Sequence, residues 1–228
     1  DIYVSSNNSL VIKGYGDPTL TSEVWHEIAR KLQKQGVFEN DLHKLVLDTS
    51  AFSKDLIVHG RRASLNYYDS PPSTLATNGN TVTIKIGGDK RITVRDALTP
   101  LTPMVVKKSR GLPAGIQRFN VANDSLESIK YSKEVIQSIF EQYGAFFEDG
   151  AEIRQLKGPH KLICRHLSEH SLKDVVKTML MESNNYIANQ LLLTLAYNEY
   201  GEGVTITDGV AVLSAFLKTE IKLDTGDF

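Results

Sequence analysis

Residues 9–36 read SLVIKGYGDPTLTSEVWHEIARKLQKQG, and within them the hydrophobic period changes from that of a strand to that of a helix. Ser9 to Gly14 is a short β-type run, and Gly14, Gly16 and the pair Asp17-Pro18 follow it as turn signals. Apolar Val24, Trp25, Ile28 and Leu32 then recur at helical spacing, with Thr21 or Ser22 as the cap and Gly36 past the end. Working outward, LHKLVLDTSAF supplies a second strand from about Lys44 to Asp48. Strand, helix and strand in that order predict an α/β unit.

Polar, irregular sequence continues to the tandem Pro71-Pro72. Between Asn78 and Val121 the runs TVTIKI, RITV, PMVVKK and IQRFNV are short and broken by GGDK, TPLTP and SRGLPAG, which predicts a small, mostly antiparallel β region. SKEVIQSIFEQYG returns to the helical period, and two β-like runs follow around AEIRQL and KLICRHL. Ser171, with Asp174 three residues on, has the spacing of a capping box and opens the longest helical stretch. Its apolar stripe is Leu172, Val175, Val176, Met179 and Leu180. SNNY interrupts it, and a second stripe runs through Ile187, Leu191, Leu192 and Leu195. A third helix is expected from roughly Thr207 to Leu217, and no internal repeat is present.

The chain has 228 residues, of which 41% are apolar and 23% charged, with 26 Lys and Arg against 27 Asp and Glu. This is the composition of an ordinary soluble globular protein and excludes disorder, collagen-like repeats and coiled coil. The near-equal charges argue against a role resting on phosphate neutralisation, so nucleic acid is not an expected partner. No apolar run approaches the ~20 residues that span a bilayer, and the opening DIYVSSNNSLVIKG lacks the charged and apolar regions of a signal peptide. The chain is therefore not expected to begin as a complete precursor would. The one cysteine, Cys164, cannot pair within the chain.

Three constellations could carry chemistry. Ser183-Asn184-Asn185 places small polar residues between two apolar helices. If the connection is extended, side chains i and i+2 point the same way, so Ser183 and Asn185 would face one cleft, able to relay a proton and hold an amide. A plain junction of helix caps accounts for the same residues. The triplets Asp48-Thr49-Ser50 and Asp224-Thr225-Gly226 resemble paired aspartic-protease carboxylates only superficially, because that chemistry needs an all-β architecture and the second triplet here follows helices. Cys164, His166 and His170 offer metal-ligand chemistry, but no other histidine has complementary spacing, so a strand ending in a polar loop is the better account. No metal and no cofactor is expected.

Four blocks in order, LVIKGYGDPTLTSE, KLVLDTSAF, YYDSPPSTLATNGNTVTI and SLKDVVKTMLMESNNYIANQLLL, resemble the class C low-molecular-mass penicillin-binding proteins, the D-alanyl-D-alanine carboxypeptidases and endopeptidases of peptidoglycan. The resemblance covers nearly the whole chain. It implies an α/β (α+β) architecture that is part of a serine penicillin-recognising fold with a mixed α/β and antiparallel β insertion. Residues 1 to about 157 would be the inserted region and about 158 to 228 the helical part carrying S-x-N. Relatives build their site from S-x-x-K, S-x-N and K-T-G. Here no Ser is followed three residues later by Lys, and neither Lys177-Thr178 nor Lys218-Thr219 is followed by Gly. By family order the first motif should precede Asp1 and the last follow a strand such as IKLDTGDF.

The resemblance gives Ser183 the role of proton relay and Asn185 that of ligand to the peptide amide and the catalytic lysine. It matches Asp48 and Phe52 to an Asp and an aromatic that reach the free amino end of diaminopimelate, while Gly14, Gly16, Asp17 and Pro18 are assigned to turn chemistry alone. The partners it implies are peptidoglycan stem peptides and β-lactams, and the compartment periplasmic or extracytoplasmic. Two functions follow as expectations: a fragment of a penicillin-binding D-Ala-D-Ala peptidase, or a non-catalytic module that binds peptidoglycan or a partner.

Overall fold

The structure is a computed structural model and describes residues 1–223. The chain opens with β1 (Ile2–Ser5), turns at Asn8, and returns as β2 (Leu10–Lys13). Helix α1 (Ser22–Lys34) follows, with the Thr21 side chain accepting from the Val24 N–H, and leads to β3 (Leu45–Asp48), parallel to β2. The expected strand, helix and strand are present. Strands β2 and β3 are apolar at successive positions because both of their faces are covered.

Next come β4 (Thr81–Ile86), β5 (Ile92–Val94), α2 (Pro103–Lys108) and β6 (Gly115–Asn120). The three strands form an antiparallel sheet in the order β5-β4-β6. PMVVKK is a helix rather than the expected β run. Thr102 caps it by accepting from the Val105 N–H, and Pro103 at its start loses no internal hydrogen bond and has φ preset for the helix. Helix α3 (Ser125–Gln142) begins earlier than the periodicity indicated, because Asp124 accepts from the Glu127 N–H and adds a turn.

Then β7 (Ala151–Ile153) and β8 (His160–Cys164) complete a five-stranded sheet in the order β7-β3-β2-β1-β8. Strand β8 pairs antiparallel with β1, so this sheet draws strands from both sides of the boundary expected near residue 157. Helices α4 (Leu172–Met181), α5 (Asn185–Tyr200) and α6 (Ile206–Phe216) follow. A π-helical turn over Leu217–Ile221 takes the start of the segment expected as a strand. The triplet at Asp224 lies outside the described residues.

The main core joins both sheets to α1 and α3. It is filled by Trp25, Leu32, Leu45, Leu47, Ile84, Ile136 and Phe140, all at most 2% exposed. Helix α5 is held to the rest by two smaller clusters, one on Ala51 and Phe52 and one on Ala76. Cys164 ends β8 inside the main core, as a structural strand residue.

Candidate functional site

Ser183, Asn184 and Asn185 form the hinge between α4 and α5, and the connection is tighter than an extended one. The Asn184 N–H donates back to the Met179 carbonyl at 2.9 Å and the Ser183 N–H to the Leu180 carbonyl, the double bond of a Schellman stop. Ser183 takes the left-handed position of that motif with φ 48°. Asn184 is extended and its Oδ1 accepts from the Ile187 N–H at 3.1 Å, which caps α5. Asn185 is already helical. Asn184 is thus spent on its own helix, while Ser183 and Asn185 stay exposed. A cap junction and an exposed polar pair coexist in three residues.

What positions this hinge is a buried residue that the sequence patterns did not single out. Gln190, one turn and a half into α5, is fully buried; its Oε1 accepts from the Ser73 N–H at 3.1 Å and its Nε2 donates to the Ser73 carbonyl at 2.8 Å. The side-chain amide thus pairs with a peptide unit as another strand would. Four residues earlier on the same helix face, Tyr186 packs near Ala76 and Gly79, and burial raises its phenol far above the ordinary value, so it stays neutral.

The segment that receives Gln190 is itself stitched down. Ser73 Oγ shares a 2.6 Å hydrogen bond with Ser128 Oγ on α3, Ser128 Oγ bonds Asn80 Oδ1 at 2.7 Å, and the Asn80 amide donates to the Pro71 carbonyl. The Thr77 N–H donates to Ser132 Oγ, and Trp25 Nε1 on α1 donates to Thr77 Oγ1 at 2.9 Å. Each partner is buried, so each bond also avoids the cost of an orphaned polar group. PPSTLATNGN is therefore a rigid strap that connects the core helices to the α4–α5 hinge.

Phe52 packs elsewhere along the same helix, whereas Asp48 ends β3. Phe52 packs with Leu193 and Ala196, eight residues or more past Asn185, which is about 12 Å of helix axis. Ser183, Asn185 and Phe52 thus meet α5 at two separate levels, and the four predicted residues are not a single cluster. Asp48 is 1% exposed at the end of β3; its Oδ1 accepts from the Ser50 N–H at 2.8 Å and its Oδ2 from the Leu156 N–H at 3.0 Å. Its carboxylate is committed to shaping the loop after β3. Phe52 walls a cleft of about 290 Å³, where Thr49, Ser53 and the exposed Asp55 supply polar atoms and Leu126, Ile129 and Ile153 the apolar side. Asp55 is the freely exposed carboxylate of this cleft, and the sequence offered no signal for it.

The glycines before α1 do more than turn the chain. A Cβ on Gly14 would lie 2.2 Å from the Thr74 carbonyl oxygen, although its φ is not left-handed. Gly16 has φ +82°, and a Cβ there would meet the Phe52 ring at 2.4 Å. Gly14 lets the strap approach β2, and Gly16 seats Phe52. On the same edge, Lys13 pairs with Glu202 in the loop after α5. Partial burial works against the Lys13 ammonium, but the Glu202 hydrogen bond and the Asp48 charge outweigh it and raise its pKa; the same bond holds Glu202 below the ordinary carboxylate range.

The profile of the D-Ala-D-Ala carboxypeptidase 3 (S13) family matches residues 4–109 and 107–228. The chain belongs to this family. Its likeness to low-molecular-mass penicillin-binding proteins is thereby established. The D-alanyl-D-alanine carboxypeptidase DacB of Haemophilus influenzae is 23% identical over 249 residues, a match that spans 94% of this chain and 51% of that protein. The crystal structure of penicillin binding protein 4 (dacB) from the same organism superposes with a TM-score of 0.74 at 21% identity, covering 93% of this chain and 53% of the other. A second crystal structure of that protein, complexed with a novel β-lactam, gives 0.68 at 20% identity. The S13-family chain therefore shares their mixed α/β fold and spans about half the length of the relatives it matches. Among the described residues no helix is long and apolar enough to cross a membrane.

Proposed function

We propose that this chain is the S-x-N-bearing portion of a penicillin-binding, serine-type D-Ala-D-Ala carboxypeptidase or endopeptidase that works outside the cytoplasm on peptidoglycan stem peptides. The observation that carries it is the family match over almost the whole chain, joined to an exposed Ser183 and Asn185 on a hinge that a buried network holds in place. In such an enzyme a lysine-activated serine attacks the terminal D-Ala-D-Ala bond, an acyl-enzyme forms, and D-Ala leaves. Ser183 Oγ is the relay that passes a proton to the leaving amine. Asn185 Nδ2 and Oδ1 bind the lysine and the peptide amide.

The cleft beside Phe52 is the proposed seat of the diamino residue. An extended peptide advances about 3.3 Å per residue, so a few residues of stem span the ~12 Å of α5 axis between Asn185 and the level of Leu193, where Phe52 packs. In this cleft the exposed Asp55 carboxylate favours an ammonium and the neighbouring Lys54 opposes one, so Asp55 is the proposed anchor, while Phe52 packs against the methylene stem. We also propose that the region before residue 157 is the accessory part of the enzyme and that after it the helical part.

Labelled penicillin tests the assignment. Residues 1–228 contain neither S-x-x-K nor K-T-G, so this chain alone should form no covalent adduct. Expressed with its flanking coding sequence, the protein should be labelled, and Ser183→Ala or Asn185→Ala should slow labelling on the order of a hundredfold, the scale of a lost proton-transfer group. Labelling unchanged in both variants, or a flanking sequence without S-x-x-K, would leave the non-catalytic module as the function.

A further inference from the structure

Residues 61–118 hold ten of the 26 Lys and Arg but only three of the 27 Asp and Glu, so this quarter of the chain carries +7 and the remainder −8. The near-zero total conceals a strongly cationic segment. Ionic screening decides which quantity a partner meets: at physiological salt the screening length is about 8 Å, so acids on the far side of the molecule do not cancel this charge.

Strand register gathers four of these ten cations on one surface. Val82, Ile84 and Ile86 of β4 point into the core, so Thr83 and Lys85 point outward. Arg118 of β6 sits opposite Thr83, while Thr93 of β5 and Ile116 of β6 flank Lys85. The Arg95 N–H donates to the Thr83 carbonyl, and Gly87 pairs with Arg91, which puts Arg91 and Arg95 in the same outward alternation. The exposed face therefore displays Lys85, Arg91, Arg95 and Arg118, and none of these four makes an ion pair among the described residues. Arg95 and Arg118 stand two strand spacings apart, roughly 10 Å.

Two further features shape the face. The Arg118 guanidinium lies 4.7 Å from the centre of the Tyr67 ring, a cation–π contact that restrains it, and Tyr67 and Tyr68 are each at least half exposed. Beside Arg118 runs a furrow of about 290 Å³ lined by Asn78, Thr81, Thr83, Asp96 and Thr99. The Asp96 carboxylate in it is occupied, accepting from the Leu98 N–H and the Thr99 hydroxyl.

We propose that this outer face of the β5-β4-β6 sheet binds a linear, phosphate-bearing polymer. Guanidinium forks match phosphate oxygens two at a time, the Thr83 and Thr93 hydroxyls on the same face add donors, and the tyrosine rings offer a stacking edge for the units between phosphates. The furrow favours a single chain over a membrane, since a flat headgroup layer cannot enter it. The surface is independent of the Ser183 hinge and of penicillin labelling.

Long-chain inorganic polyphosphate is the probe, titrated against the intact protein by fluorescence anisotropy at several salt concentrations. Four phosphate contacts should give a slope near −3 in log affinity against log salt, by analogy with flexible single strands. Arg95→Gln with Arg118→Gln should weaken binding at least tenfold and halve that slope, with the thermal midpoint unchanged. Lys31→Gln with Lys34→Gln, exposed cations on α1, should leave it unaltered. Absence of saturable binding, an equal loss in both double variants, or binding to phosphatidylglycerol vesicles without binding to polyphosphate would each overturn the assignment.

Discussion

Ser183 occupies a backbone position that ordinarily falls to glycine. Its φ of 48° follows the last turn of α4, and an L side chain there costs on the order of 1 kcal/mol relative to a residue without Cβ. A strained non-glycine residue persists where the side chain is needed, and this one is exposed beside Asn185. Ser183→Gly should therefore raise stability by about 0.5–1 kcal/mol, a small gain because glycine also frees the unfolded chain. In the protein expressed with its flanking sequence, the same change should impair penicillin labelling as Ser183→Ala does. A urea denaturation curve and a labelling time course read the two effects separately. Lower stability in the glycine variant would show that the serine hydroxyl, not the backbone, dominates this position.

At the scale of elements, the strand–turn–helix–strand unit and the helices α4 to α6 were legible from caps and turn residues, but the apolar stripes misplaced the buried face: α4 buries none of its stripe, and α5 buries Tyr186, Ile187, Gln190, Leu193 and Ala196 while Leu195 is exposed. PMVVKK misled because an apolar run of this length suits either state, and the decision rests with Thr102 and Pro103 just before it. The S-x-N residues could be picked out from a motif, but the strap that holds them could not, since Ser73, Asn80, Ser128 and Gln190 are ordinary polar residues until folding buries them together. Asp48 was legible as an Asp ending a strand, yet its burial between two backbone amides depends on Leu156, more than a hundred residues away. Gln190 tests the strap. Gln190→Leu keeps the volume but leaves the Ser73 N–H and carbonyl without partners in a dry site, at a cost of about 2–4 kcal/mol. Hydrogen exchange should quicken over residues 185–193 and 71–80 while the five-stranded sheet stays protected. Uniform acceleration throughout the chain would mean that the strap and the core unfold as one unit.

Across the whole molecule, ion pairs join elements distant in sequence: Lys13 on β2 with Glu202 after α5, Lys44 just before β3 with Glu152 on β7, and Lys108 on α2 with Glu127 on α3. Burial acts against ionisation of Glu127 and Glu152, but their cationic partners prevail, so both join Glu202 below the ordinary value of 4.5. A carboxylate with a depressed folded pKa contributes stability that is present above 4.5 and is lost as pH falls through the folded value. Lys13 has the opposite sign: raised above 10.5, it contributes below that pH and loses its contribution as pH rises through its folded value. The three glutamates should thus feed an acid limb, and Lys13 should add to an alkaline limb that Tyr15, Tyr131 and Tyr186 share, since burial holds their phenols above the ordinary value and that contribution is lost as pH rises above 10. The ion-paired groups are partly solvated, so their share of each limb is shallow and salt flattens it. Urea midpoints measured from pH 3 to 11 check both limbs in one series. Glu202→Gln should soften the acid limb and also shrink the alkaline limb by the Lys13 share, because a single pair underlies both. If Glu202→Gln changes the acid limb alone, the Lys13 shift comes from Asp48 beneath the loop rather than from the pair that ties β2 to α5.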